Sequence, residues 1–178
     1  KFTYKKMTVE DLKSLKINGL FSYQWPIKSI AYIINRYSKH PTYTYDIYTV
    51  NKNKKLLALF VLRSISIHGR NALRIVDYCG SNDIISSSYV FFKKILKKYN
   101  AEYIDMYSFG VPINLLEEAG LTNRQNEKGL IIPNYFEPFV KENIDITYAY
   151  KADEHHPPIR LFKGDGDQDR PAQIEGVN

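Results

Sequence analysis

The sequence has little with which to cross-link itself, cross a membrane or repeat. Its one cysteine, Cys79, excludes an internal disulfide and fits a reducing compartment, so a cytoplasmic location is expected. No apolar run reaches the roughly 18 residues of a membrane span. The longest run, residues 56–62, has the length of a strand. No secretory leader pattern precedes the first element, and the chain opens on Lys1, which suggests a fragment or a processed product. No internal repeat is present. Metal-ligating patterns are scarce too. His155 and His156 are adjacent and would point apart on a strand, and no Cys–His–Asp pattern surrounds Cys79, which reads as a small buried thiol. Asp165, Asp167 and Asp169 mimic the start of a calcium loop, but Arg170 stands where that loop needs glycine and Gly176 where it needs its closing acid. No metal site is predicted.

The 178 residues suffice for one domain with a sizeable core, and 44% of them are hydrophobic, which places the chain among globular proteins. The formal charge of +6 has two readings, a solvated lysine-rich surface or an anionic partner. Lys93, Lys94, Lys97 and Lys98 fall together on one helix face without interleaved aromatics, so nucleic acid is not the expected partner.

Residues 1–7 alternate as a first strand. Thr8 and Asp11 resemble a capping box that opens a helix over Leu12 and Leu15. A second helix is predicted to open at Trp25–Pro26 and to end at His40–Pro41. A three-stranded meander follows over residues 43–50, 56–67 and 72–79, turning at Asn51–Lys54 and His68–Asn71. Simple alternation puts Leu73, Ile75, Asp77 and Cys79 on one face of its last strand, with Arg74, Val76 and Tyr78 on the other. The stretch from Arg74 to Gly120 then reads strand, glycine turn, helix over residues 84–99, strand over residues 103–107, glycine turn, and a short helix over residues 112–119. Such a βαβα unit favours two parallel strands, and its ligands sit beyond their carboxyl ends. Further strands are predicted over residues 129–133 and 144–151. Residues 152–178 are irregular and rich in Pro, Gly and Asp.

This order, strand, two helices, meander, helix, strand, helix, two strands, resembles the GNAT superfamily of acyl-CoA-dependent acyltransferases over residues 1–151. The expected fold is α/β, a mixed, mostly antiparallel sheet with a central βαβα unit and helices on both faces. The resemblance implies an acetyl-CoA or other acyl-CoA cofactor whose diphosphate lies on the amides that open the central helix and whose thioester lies in a cleft where the fourth and fifth strands diverge. The matching positions are Tyr78, Cys79, Gly80, Ser81, Asn82 and Ile84. The family's loop carries several glycines behind an Arg or Gln, whereas this chain has Gly80 followed by Ser81, Asn82 and Asp83. A second likeness rests on Arg36–Tyr37, His40–Pro41 and the stretch from Phe162 to Pro171. These resemble GNAT-type proteins of bacterial surface-polysaccharide gene clusters, some fused to other sugar-modifying enzymes. It implies an amine or hydroxyl acceptor on a nucleotide-linked sugar.

Within that frame Asp77 is a candidate general base, because a carboxylate among apolar neighbours must line a wet cleft or be paired. The bland alternative is a structural acid paired with Arg74 or a lysine. Tyr107 takes the general-acid position by place in the chain, with core packing as its alternative, and strand amides around Tyr78 would hold the thioester carbonyl. His40, Ser108, Asp167 and Arg170 are the candidate substrate residues, the last two on a tail that packs back on the domain as a lid, anchored by Leu161 and Phe162. The functional alternative is a diverged, non-catalytic domain of the same fold that binds or scaffolds a partner.

Overall fold

The computed structural model describes residues 2–17, 19–67, 69–132, 143, 145–153 and 155–166. Its centre is a five-stranded sheet in the order β1 (Thr3–Lys6), β2 (Asp46–Lys52), β3 (Lys55–Ile67), β4 (Arg70–Gly80) and β5 (Ala101–Met106). The first four strands run antiparallel to their neighbours and β5 runs parallel to β4, which gives the mixed sheet expected.

One face of the sheet is covered by α1 (Val9–Lys13) and α2 (Ile30–Ile33). Thr8 and Asp11 form the capping box of α1, and Ser29 caps α2 by accepting from the Tyr32 amide. Pro26 does not open α2. The backbone of Trp25 is bridged to Ile159 instead, so the helix starts only at Ile30 and runs on as a π-helical turn over Ile34–Ser38.

The other face is covered by α3 (Asn82–Ser86) and α4 (Tyr89–Lys98), with α5 (Ile113–Glu118) beyond α3. The sequence predicts α3 and α4 as one helix. It breaks at Ser88, whose hydroxyl donates to the Ile84 carbonyl at 2.6 Å and competes with the helix ladder. The break turns Phe91, Phe92 and Ile95 inward and leaves Tyr89 46% exposed. No helix among the described residues is long and apolar enough to cross a membrane.

The strands predicted at residues 129–133 and 144–151 do not form over the described residues 129–132 and 145–151. A short antiparallel pair takes their place: β6 (Ser108–Phe109) against β7 (Leu161–Phe162), the latter from a part of the chain read as irregular tail. Two residues suffice for β7 because its neighbours Arg160 and Asp165 are held by Gly80 and Lys28.

β4 also departs from simple alternation. Val61 lies opposite Asp77 and Leu62 opposite Ile75, so Val76 is an extra residue, a β-bulge. A bulge shifts the face by one position. Leu73, Ile75 and Tyr78 therefore pack on the α4 side, while Val76 and Cys79 pack on the α2 side with Leu59 and Val61. Asp77, opposite Val61, belongs to the α2 side and does not share the face of Leu73 and Ile75.

Candidate functional site: the gap between two parting strands

β4 and β5 are paired from Asn71–Ala101 to Ile75–Met106 and no further, although β4 continues to Gly80. Above Ile75 the edge of β4 facing β5 thus lacks its strand partner. This is the place where the resemblance puts an acyl thioester. It is filled by the chain's own residues 158–166, which form a strap between the parting strands.

The strap is fitted along its whole length. The Trp25 amide donates to the Pro158 carbonyl at 3.0 Å and the Arg160 amide to the Trp25 carbonyl at 2.9 Å. The Arg160 guanidinium donates to the Gly80 carbonyl at 2.7 Å, which occupies the last acceptor of β4. Leu161 and Phe162 pair with Phe109 and Ser108. Phe162 is buried in the α4-side core with its ring centroid 6.2 Å from that of Tyr78. Two glycines permit the approach. A Cβ on Gly110 would stand 1.9 Å from the Ile159 carbonyl oxygen. One on Gly164 would stand 2.1 Å from the Tyr37 hydroxyl and 3.1 Å from the Val76 carbonyl oxygen.

The strap carries an acid into the core. Lys28, 4% exposed, lies between two carboxylates, Asp77 of β4 and Asp165 of the strap, the latter at 2.8 Å. Asp77 is fully buried. It also accepts from the Tyr37 hydroxyl at 2.6 Å and from the Tyr78 amide at 2.8 Å. Asp165 accepts from the Phe162 amide at 2.9 Å, Tyr32 donates to the Gly164 carbonyl at 3.4 Å, and Arg36 donates to the Gly166 carbonyl at 3.1 Å. Helix α2 and its approach therefore act as a clamp on the strap.

The electrostatics follow from two acids sharing one cation. Burial pushes the Lys28 ammonium down, but the Asp77 and Asp165 charges outweigh it and hold Lys28 above the usual lysine value. Burial, then the Asp77 charge, push the Asp165 carboxyl up, against the pull of Lys28. Tyr37 is raised well above an ordinary phenol by burial and by Asp77. Cys79 is raised well above an ordinary thiol for the same two reasons, which leaves it a poor nucleophile.

Below the gap lies a second buried pair. Arg74 donates through Nε and Nη2 to both oxygens of Asp105, at 2.7 and 2.6 Å. Its guanidinium lies 5.0 Å from the Tyr107 ring centroid, and the Lys163 ammonium lies 5.3 Å from the same ring. Tyr107 is thus packed between two cations.

The residues singled out from sequence fall in several places. Asp77 is paired, with Lys28 rather than Arg74. Tyr107 and Ser108 stand on the β5–β6 side of the strap. Tyr78 is buried and donates to the Ser81 carbonyl at 2.6 Å, Cys79 faces α2, and Gly80 accepts from Arg160. Ser81 precedes α3 without a side-chain capping bond, and Asn82, Asp83 and Ile84 follow in that five-residue helix, with an acid in its first turn. His40 is elsewhere: its Nδ1 accepts from the Thr42 and Tyr43 amides at 3.2 and 2.9 Å and its ring stacks on Tyr43. Asp167 and Arg170 lie outside the described residues. Lys28 and Arg160 were missed, and Tyr37 and Asp165 were named only within the family likeness and the acidic run. Their sequence signal is a lone lysine ahead of an apolar helix and one acid within an acidic run, and neither says which acid it meets.

These residues do not fit an acyl thioester at the expected position, since the strap takes the edge of β4 and Asp83 opens α3. Among the described residues no group of three or more His, Cys, Asp or Glu could hold a metal ion.

On the far side of β5 lies a cleft of about 1130 Å³, walled by β5, β6, α5, residues 145–150 and the strap. Phe109, Tyr148 and Tyr150 line it, with ring centroids 4.7 Å (Phe109–Tyr148) and 6.4 Å (Tyr148–Tyr150) apart.

No protein-family model matches the chain, and no curated protein sequence does. It is similar in structure to the aminoglycoside acetyltransferase meta-AAC0020 from an uncultured soil metagenomic sample, solved with sisomicin, at 12% identity over 84% of this chain and 97% of that one, with a TM-score of 0.50. TTHA1254 from Thermus thermophilus aligns at 10% identity over 85% of this chain and 98% of that one, with a TM-score of 0.46. The first likeness shows a shared acetyltransferase fold and carries no chemistry with it. The second adds nothing to it.

Proposed function

We propose that this acetyltransferase fold serves as a diverged, non-catalytic domain that holds a small-molecule ligand or a partner, with no thioester entering between β4 and β5. The single observation that carries the reading is the strap, which takes the edge of β4 with Arg160, Gly164 and Asp165. Displacing it would draw Phe162 out of the core and part Asp165 from Lys28, at a cost of several kcal/mol that thioester binding would have to supply. A thermal-shift titration of the chain with acetyl-CoA tests this. No shift is expected up to millimolar cofactor, and a saturable rise in Tm would sink the reading.

A second reading is favoured by the parting of β4 from β5 and by the fold shared with an acetyltransferase. It is an acyl-CoA-dependent N- or O-acyltransferase acting on a nucleotide-linked sugar in bacterial surface-polysaccharide synthesis, cytoplasmic and partnered with another sugar-modifying enzyme. Asp77 would then be the base and Tyr107 the acid, and the strap would have to withdraw and take Asp165 from Lys28. It predicts that Asp165→Ala, which loosens the strap, raises the release of free CoA from acetyl-CoA in the presence of an amino sugar. The first reading predicts no release from either protein.

A further inference from the structure

We infer that the cleft beyond β5 is a binding site for an uncharged saccharide, with Phe109, Tyr148 and Tyr150 as its stacking platform. Core rings are covered by the chain, but these three are 38%, 48% and 52% exposed. They are nonetheless ordered against each other. Tyr148 and Tyr150 lie nearly parallel at 15°, and Phe109 is tilted 49° to Tyr148. Exposed, mutually packed rings present flat apolar faces to solvent at an energetic cost that a ligand's own apolar face removes. The cleft, about 1130 Å³, is of the size that takes a ligand of several rings.

Its polar lining selects among ring-bearing ligands. Three of its acids are paired one to one, Glu102 with Arg70, Asp105 with Arg74 and Asp145 with Arg124, while Asp165 shares Lys28 with Asp77 and Glu117 adds a further negative charge. Arg124 is committed to Asp145 by the same contact. Lys163, the other lining cation, is 4% exposed and packed on the Tyr107 ring, so the lining presents no exposed cation to a phosphate or a carboxylate, whereas Ser108, Thr147, Asn123 and Gln125 offer neutral hydrogen-bonding groups beside the rings. Stacking faces with neutral hydrogen-bonding groups suit the C–H faces and hydroxyls of a sugar. A nucleotide would need a cation for its phosphate. The strap forms one wall through Leu161 and Phe162, so the contact that closes the strand gap also shapes this cleft.

The inference deepens the binding-domain reading, on which it rests for the claim that the ligand is held and not acylated. Saturation-transfer NMR on the full chain tests it, with maltotriose and the N-acetylglucosamine trimer as probes and uridine monophosphate as the charged control. Transfer to the ring protons of at least one trisaccharide is expected. The Tyr148→Ala/Tyr150→Ala protein, its far-UV circular dichroism unchanged, should bind at least about tenfold more weakly, since two stacking rings are lost. No transfer to either trisaccharide at about 10 mM, about tenfold above a millimolar Kd, would overturn the inference, as would equal transfer in the double variant or transfer to uridine monophosphate alone. Transfer that emerges only when residues 133–142 are deleted would assign the rings to that segment and overturn it too. Acetyl-CoA binding alongside saccharide binding would overturn the non-catalytic reading and leave this site standing.

Discussion

The two halves of β4 are closed in different ways. From Asn71 to Ile75 the strand has a backbone ladder on both sides, β3 on one and parallel β5 on the other. From Val76 to Gly80 the β3 side is still a ladder, but the other side is closed by a strap about 80 residues away along the chain, held by side chains. A ladder spreads its hold over many equivalent bonds. The strap depends on a few buried charges and on two glycines that leave no room for a methyl group. Each half contains one buried ion cluster, Arg74–Asp105 below and Asp77–Lys28–Asp165 above, so the same perturbation can be made in both.

Removing the cation is expected to have the largest effect. Lys28→Met and Arg74→Met should each cost about 3–5 kcal/mol in urea denaturation, because each leaves buried carboxylate without its partner. Their consequences should differ. Lys28→Met should release the strap and open residues 155–166 to limited proteolysis, while Arg74→Met leaves that segment resistant. Equal protease sensitivity in the two would erase the distinction between the halves.

Gly164→Ala comes next. Its methyl would press on the Tyr37 hydroxyl and the Val76 carbonyl, an overpacking worth about 1–3 kcal/mol. Adding Tyr37→Phe should return part of that loss, since the nearest clashing atom is the hydroxyl oxygen, and a chain that shows no recovery would mean the strap lies elsewhere. Tyr37→Phe alone should cost about 1.5–3 kcal/mol, the value of one buried hydrogen bond to a charged group.

The smallest effect is in pH dependence. The carboxyl of Asp165 is raised in the folded chain above its ordinary 3.8, so the folded state binds that proton first. Its contribution to stability is complete below 3.8 and is lost as pH rises through the folded value. Measured against Asp165→Asn, which cannot titrate, the native chain should therefore gain stability as pH falls from neutral towards 4. A flat difference, or one of opposite sign, would show that Asp165 is not buried beside Asp77.

The lower half of β4 was legible in the sequence and the upper half was not. Alternating apolar residues and turn signals at Asn51–Lys54 and Gly69 mark the meander, and local rules suffice there. The bulge at Val76 defeats such rules, because one inserted residue reverses every later side chain and moves Asp77 to the α2 face. Asp77 was visible as an anomalous acid, and its pairing was anticipated in kind. Its partner, Lys28, lies 49 residues away on the approach to α2, and contacts at that separation leave no periodic trace. The strap reads as tail because two strand residues and a polar run of glycine and aspartate resemble a loop. Only pairing with Ser108 and Phe109 turns Leu161 and Phe162 into a strand. The parting of β4 and β5 was expected from the resemblance to acyltransferases, but what fills it was not.

The most direct measurement is native-state amide hydrogen exchange at Trp25 and Arg160, whose amides are bonded only when the strap is in place. The account predicts protection close to that of the β3–β4 ladder, unchanged by millimolar acetyl-CoA. Exchange at the rate of an unstructured peptide, or protection that collapses when acetyl-CoA is added, would contradict it.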